Sequence, residues 1–283
     1  MKEGNYMYKR ILTIQDISCV GQCSLTVALP ILSAAGLETA ILPSAVLSNH
    51  TGGFSGWTFT DLTDDMPKIC ERWELENIEF SAVYTGYLGS ARQIDYVKDI
   101  VKSRLVPGGR FIVDPAMADN GKLYAGFDSA FVEAMKRLAF SADIILPNIT
   151  EAALLTDTEY KEIYDKSYTD ELTEKLLAGG ARTIVFTGIG YKPDTTGVLV
   201  VENGEQRYYE HRKIAGGCHG TGDVYASAFV GALENGYQAF ESAKIAADFT
   251  LECIEKTQGD SSHWYGVKFE SALPSLIKAL RLS

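Results

Sequence analysis

Short apolar runs alternate with amphipathic stretches along most of the chain. Arg10–Ile14, Thr39–Leu42, Ala82–Thr85, Arg110–Val113, Asp143–Leu146 and Thr183–Phe186 read as short buried strands, each bounded by turn signals. Between and after them, eight segments carry a helical period: Cys23–Ala35, Asp61–Trp73, Ser90–Arg104, Asp128–Phe140, Asp170–Ala178, Thr221–Glu234, Ala239–Glu255 and Lys268–Leu280. In Ser90–Arg104 the residues Ile94, Val97, Ile100 and Val101 fall on one face. Gly197–Val201 and Gln206–His211 flank Asn203-Gly204, a dipeptide that favours a type I′ turn and so a hairpin. Strand–helix alternation of this kind predicts a mainly parallel sheet covered by helices on both faces. The expectation is a three-layer α/β/α sandwich with an antiparallel hairpin at one edge. Residues 1–7 read as a disordered lead-in and 8–283 as one domain, with no repeat and no linker.

Ligands of such sheets bind at the carboxyl ends of the strands. Asp16, Asp114, Asn148 and Thr187 are placed there by the pattern alone. Four polar residues ending four strands define a candidate site.

Composition narrows the class. Hydrophobic residues make up 46% of the 283 and charged ones 22%, as expected of a globular protein. The net charge of −11 disfavours nucleic acid or an anionic membrane as a partner. The five cysteines are scattered, with no CxxC pair and no zinc spacing, and read as free thiols in a reducing cytoplasm. Cys19 and Cys23 lack a histidine partner and do not read as a metal site. No stretch has the length of a signal peptide core or a membrane span.

The segment Gly216-Gly217-Cys218-His219-Gly220-Thr221-Gly222-Asp223 holds the most chemistry. Its glycines let the backbone approach a ligand closely. A helix starts at once, so unpaired N–H groups and a positive dipole end face the same space. Those groups could hold phosphate oxygens, and Asp223 could take a proton from an attacking hydroxyl. A plain glycine-rich turn before an acidic first helical turn would look alike. The string is neither a Walker A loop nor a dinucleotide fingerprint.

Gly220-Thr221-Gly222-Asp223 resembles the GTGD motif of the ribokinase superfamily, where it supplies an anion hole and a base. Further segments resemble its pyridoxal kinase branch. They are Ile14-Gln15-Asp16 at the end of the first strand, Ser48-Asn49-His50-Thr51-Gly52 in the substrate-side loop, and Thr85-Gly86-Tyr87-Leu88-Gly89-Ser90. Asp114-Pro115-Ala116-Met117 with Asp119 is similar to DPVMGD, and Pro147-Asn148 with Glu151-Ala152 to PNxxEA. The matches keep family order from Ile14 to Asp223.

The resemblance implies a ribokinase-like fold and residue roles. Asp223 is the base, and Gly220, Thr221 and Gly222 are the anion hole. Asp114, Asn148, Thr187, Gly188 and Tyr124 lie at ATP, while Asp119, Glu151 and Asn148 organise Mg²⁺, largely through water. Asp16, Thr51, Tyr87 and His50 lie at the substrate ring. Asp16 departs from the serine of many pyridoxal kinases, which leaves open an aminated substrate; it could equally be a turn or cap residue. His50 could stack on the ring or simply be a satisfied loop histidine. Cys218, at a helix N-terminus that can lower a thiol pKa, could add to the aldehyde of pyridoxal or be a small buried residue. Ala118–Gly126 is the candidate lid, and Lys122 within it reads as a solvated charge.

The implied activity is transfer of phosphate from Mg-ATP to the 5′-hydroxymethyl group of pyridoxal, pyridoxamine or pyridoxine. The resemblance also implies a homodimer, and leaves open a monovalent cation such as K⁺. A hydroxymethylpyrimidine kinase on the same scaffold is the nearest alternative; a sugar kinase or a non-catalytic pyridoxal phosphate-binding protein lies further off.

Overall fold

The computed structural model of the chain describes residues 9–214 and 218–282. The expected lead-in over residues 1–7 and the glycines Gly216 and Gly217 lie outside them. In chain order the first elements are β1 (Arg10–Ser18), α1 (Leu25–Ala34), β2 (Glu38–Leu47), β3 (Phe59–Asp61), α2 (Met66–Leu75), β4 (Phe80–Thr85), α3 (Ala91–Arg104) and β5 (Leu105–Val113). Next come β6 (Ala118–Asp119), β7 (Lys122–Leu123), α4 (Ser129–Ala139), β8 (Ile144–Ile145), α5 (Ile149–Leu155), α6 (Lys166–Gly179) and β9 (Thr183–Ile189). The chain closes with β10 (Thr195–Glu202), β11 (Glu205–Arg212), α7 (Thr221–Glu234), α8 (Ala239–Thr257), a 3₁₀ turn and α9 (Leu273–Ala279).

Strands of the main sheet run in the order β11-β10-β9-β8-β5-β4-β1-β2-β3. From β2 through β9 the neighbours are parallel. The expected hairpin β10–β11 adds antiparallel at one edge, and β3 does so at the other. Side chains alternate across the sheet as period two demands. Leu12, Val83, Phe111, Val113 and Phe186 enter a core with α2 to α6. Ile11, Tyr84, Ile112, Val185 and Val200 enter a second core with α1, α7, α8 and α9. The three-layer expectation therefore holds. No helix among the described residues is long and apolar enough to cross a membrane.

Several boundaries differ from the sequence reading, each for a local reason. β1 runs on to Ser18, so Asp16 lies inside a strand rather than after it. Pro43 of β2 has no N–H to give, and the β1–β2 register slips between Gln15 and Ile17, opposite Asp16. The helix expected from Asp61 starts only at Met66, with Pro67 in its first turn, and Asp61 belongs to the unforeseen edge strand β3. The helix expected from Lys268 begins as a 3₁₀ turn and becomes α9 only at Leu273, again with a proline in the first turn. Helix α5 was unforeseen. Its signal is Asn148-x-x-Glu151, which forms a reciprocal capping box.

Candidate active site

Because the central strands are parallel, their carboxyl ends meet along one edge. Asp16 and Ser18 come from β1, Asp114 follows β5, Asn148 follows β8, and Thr187 lies in β9. Backbone bonds hold these ends together: the Asp114 amide donates to the Thr85 carbonyl at 2.9 Å and the Thr187 amide to the Pro147 carbonyl at 3.0 Å. The N-terminus of α7 faces the same edge. Together they enclose a cleft of about 860 Å³. Every residue predicted for catalysis, substrate, nucleotide or metal lines it: Asp16, His50, Thr51, Tyr87, Asp114, Asp119, Tyr124, Asn148, Glu151, Thr187, Gly188, Cys218, Gly220, Thr221, Gly222 and Asp223.

The glycines at the start of α7 differ in what they permit. Gly220 caps the helix at φ 76. A Cβ there would sit 1.9 Å from the Gln22 carbonyl oxygen, so only glycine fits. A Cβ on Gly222 would meet no protein atom within 4 Å, which leaves space for a ligand beside the helix amides. Asp223 follows in the first turn. Burial and the Asp16 charge push its carboxyl up to about 7, against the pull of the Ser24 amide.

Glu151 is 2% exposed, and both its oxygens are taken by backbone. Oε1 accepts from the Met117 amide at 3.1 Å and Oε2 from the Asn148 amide at 2.9 Å. The Asn148 side chain in turn accepts from the Glu151 amide and donates to the Ala118 carbonyl. The pair thus ties the α5 N-terminus to the loop after β5. Burial raises Glu151 to about 7. Burial, Glu151 and Asp223 together hold Asp114 well above the usual carboxylate range. The Ala118–Gly126 segment is a hairpin of β6 and β7 that turns at Asn120-Gly121, both at positive φ. The Gly121 amide donates to Thr150 Oγ1 at 3.0 Å, which fastens its tip to α5.

Toward Asp16, His50 accepts from the Gly52 amide through Nδ1 at 3.0 Å, so Nε2 carries the proton and donates to the Tyr265 carbonyl at 2.7 Å. Tyr87 stacks on Phe127, and Phe127 on Phe131 with ring centroids 3.8 Å apart. Cys218 lies two residues before the Gly220 cap, and burial pushes its thiol up. Sequence reading missed Ser24, Phe127 and the α8 residues Leu251 and Ile254, which also line the cleft. Phe127 could have been suspected from its place just before the Asp128 cap; the α8 pair carries no signal beyond helical period.

Five carboxylates line the cleft, and among the described residues no lysine or arginine does. Nor do any three of these residues' histidines, cysteines, aspartates or glutamates cluster as a complete metal cage.

The family model for phosphomethylpyrimidine kinase matches residues 34–266. The chain is 36% identical to a Bacteroides thetaiotaomicron protein of that designation solved with pyridoxal, with TM-score 0.89 and coverage of 95% of this chain and 96% of that one. It is 31% identical to pyridoxal kinase from Lactobacillus plantarum, with TM-score 0.88 and coverage of 95% and 97%. It is 27% identical over 266 residues to the pyridoxine/pyridoxal/pyridoxamine kinase of Bordetella bronchiseptica, covering 88% of this chain and 89% of that protein.

Proposed function

The chain belongs to the phosphomethylpyrimidine kinase family, and from that premise we propose that it transfers the γ-phosphoryl group of ATP to the 5′-hydroxymethyl group of a vitamin B6 vitamer. Pyridoxal, pyridoxamine and pyridoxine are the candidate acceptors and the 5′-phosphate is the product. The observation that carries this reading is Asp223, which sits beside the open space at Gly222 on a helix N-terminus that faces the cleft. The relatives solved with pyridoxal or named for B6 vitamers support the choice of ring.

The residues divide the work. Amides at Gly220, Thr221 and Gly222 face the charge that develops on the transferred group. Asp223, with a carboxyl near neutrality, accepts the proton of the attacking hydroxyl. Tyr87 and the Phe127 behind it form a flat wall suited to an aromatic ring. Positioning does most of the rest, as in other phosphoryl transfers.

Mg²⁺ fits the donor set. Asp114 and Asp119 would hold it with hard carboxylate oxygens, and Asn148 and Glu151, tied to each other and to the loop after β5, would organise that side of the site. The crowded carboxylates at Asp114, Glu151 and Asp223 lack any lysine or arginine in the cleft, so a divalent cation offsets charge that no side chain there does. When bound, the ion neutralises phosphate charge. The five free cysteines support a reducing cytoplasm.

The test is one competition assay with Mg-ATP, the three vitamers and hydroxymethylpyrimidine, read by mass spectrometry. A B6 5′-phosphate is expected. Phosphate on the pyrimidine alone would move the substrate to thiamin chemistry, and transfer to none of the four would overturn the reading.

A further inference from the structure

Ser90-x-x-Gln93 has the form of a capping box at the start of α3, but only half of the box forms. The Gln93 amide donates to Ser90 Oγ at 3.3 Å. The Gln93 side chain instead reaches past the cap, and its Oε1 accepts from the Gly89 amide at 2.6 Å. Its Nε2 donates to the Ser44 carbonyl at 2.9 Å and to Thr63 Oγ1 at 2.8 Å, with Asp61 Oδ1 beside them at 3.3 Å. A backbone donor at one end and a backbone acceptor at the other fix which way the amide points. Gln93 is fully buried, and its oxygen and nitrogen are both engaged. The segments it joins lie far apart in sequence: β2, the turn after β3, and the loop after β4.

Two of those segments carry walls of the cleft. Tyr87 and Gly89 line it from the loop after β4, and Trp57 and Phe59 line it from β3 and its approach. Gln93 stands behind them. A Cβ on Gly89 would lie 3.5 Å from Gln93 Oε1 and 3.8 Å from Phe59 Cζ, so the amide and the ring flank the same point of backbone. Ser44, whose carbonyl Gln93 holds, donates through Oγ to the Tyr87 carbonyl at 3.3 Å. Thr63 donates in turn to Asp61 at the end of β3. Strand β3 is three exposed residues, with little burial of its own to fix its place.

We propose that Gln93 is a positioning residue for the ring substrate: from behind the cleft it sets the separation between the Tyr87 loop and β3, and so the fit of the ring against that wall. This rests on the proposed B6 reading and deepens it. The role is confined to the ring side. Asp223 and the amides before it stand on α7, which no hydrogen bond of Gln93 reaches. Three hydrogen bonds converging on one buried amide hold their partners more firmly than an exposed edge strand holds itself, because each partner would otherwise lose its bond away from water.

The test compares KM with kcat. Gln93→Met keeps the length of the side chain and removes its hydrogen bonds. KM for pyridoxine is expected to rise on the order of tenfold, while KM for ATP stays within about twofold and kcat within about threefold, as for a displaced binding wall with the catalytic groups in place. Thr63→Val removes one acceptor from outside the cleft and is expected to raise KM for pyridoxine by at least about threefold, whereas Thr63→Ser keeps the hydroxyl and should stay within about twofold of wild type. A merely structural role would give fewer folded molecules, hence a lower apparent kcat with both KM values unchanged, and that result would overturn the proposal. Parallel rises in KM for pyridoxine and ATP would do so too, as would a Thr63→Ser enzyme as impaired as Thr63→Val. The threonine pair decides if Gln93→Met does not fold. A wild type active on pyridoxine, with variants that miss this pattern, removes the inference alone; a wild type that phosphorylates no B6 vitamer overturns the functional reading, and this inference with it.

Discussion

Adding one methyl group to Gly220 and adding one to Gly222 are expected to do opposite things, though the two glycines are separated by a single residue. At Gly220 the new Cβ lies 1.9 Å from the Gln22 carbonyl oxygen, and φ is 76. That oxygen belongs to the backbone, so relief requires the main chain before α1 to shift. A left-handed conformation costs about 1–2 kcal/mol for a residue with a Cβ. Overlap in a packed region adds about 1–3 kcal/mol. Together they lower stability by about 2–5 kcal/mol, which at about 2–4 °C per kcal/mol brings the melting point down by about 4–20 °C. At Gly222 the new Cβ meets no protein atom and the residue is helical, so Gly222→Ala is expected to be neutral or up to about 1 kcal/mol stabilising. The methyl enters the space reserved for phosphate, however, and kcat/KM for ATP should fall by on the order of 10- to 10²-fold. Thermal melts and steady-state kinetics on both variants check this. A Gly220→Ala protein that melts within about 2 °C of wild type, below the smallest shift expected, would refute the steric reasoning. A fully active Gly222→Ala enzyme would refute the assignment of that space to ligand.

Five further outcomes are expected. Asp223→Asn should keep ATP binding by calorimetry but turn over at least about 10²-fold more slowly, and near-normal turnover would remove Asp223 from its role. In the wild type, kcat should rise as pH increases through about 7, where Asp223 ionises. The sign for stability is the reverse: Asp223 and Glu151 have raised carboxyl pKa values in the fold, so their contribution is full below about 4 and is lost as pH climbs to about 7. Denaturation midpoints of the ligand-free protein across that window check the slope. Glu151→Ala leaves the Met117 and Asn148 amides without their acceptor and should cost about 1–3 kcal/mol for each in chemical denaturation, with Glu151→Gln milder. If Cys218 adds to the aldehyde, Cys218→Ala should weaken use of pyridoxal and spare pyridoxamine and pyridoxine; equal effects on all three would sink the covalent role.

Much of this arrangement was legible in the sequence. The strand-end polar residues and the glycine-rich helix start were readable because parallel sheets and helix termini impose fixed directions on whatever residues occupy them. What escaped notice depends on partners far away in sequence. Edge strand β3 is three exposed residues whose only cause is pairing with β2. The reach of β1 to Ser18 depends on the same strand, whose Pro43 and register slip are invisible from the Asp16 side. The neutral state of His50 is decided by Gly52 and Tyr265, the latter at the other end of the chain. The cost of a Cβ at Gly220 is set by a carbonyl in the loop before α1. Local pattern announces which residues meet a ligand, and long-range packing decides their protonation and aim.

The sheet order has a temporal consequence. Asp16 leaves the ribosome well before Asp223 and the first turn of α7. Strands β1, β4, β5 and β8 can pair before α7 exists, yet the cleft then has acidic strand ends and no anion-binding helix. The proposed phosphate-binding amides are therefore missing from a growing chain until α7 begins. A fragment ending before Gly220 would keep the acidic strand ends and lack the proposed base, so the proposed chemistry would arrive in one late step of assembly.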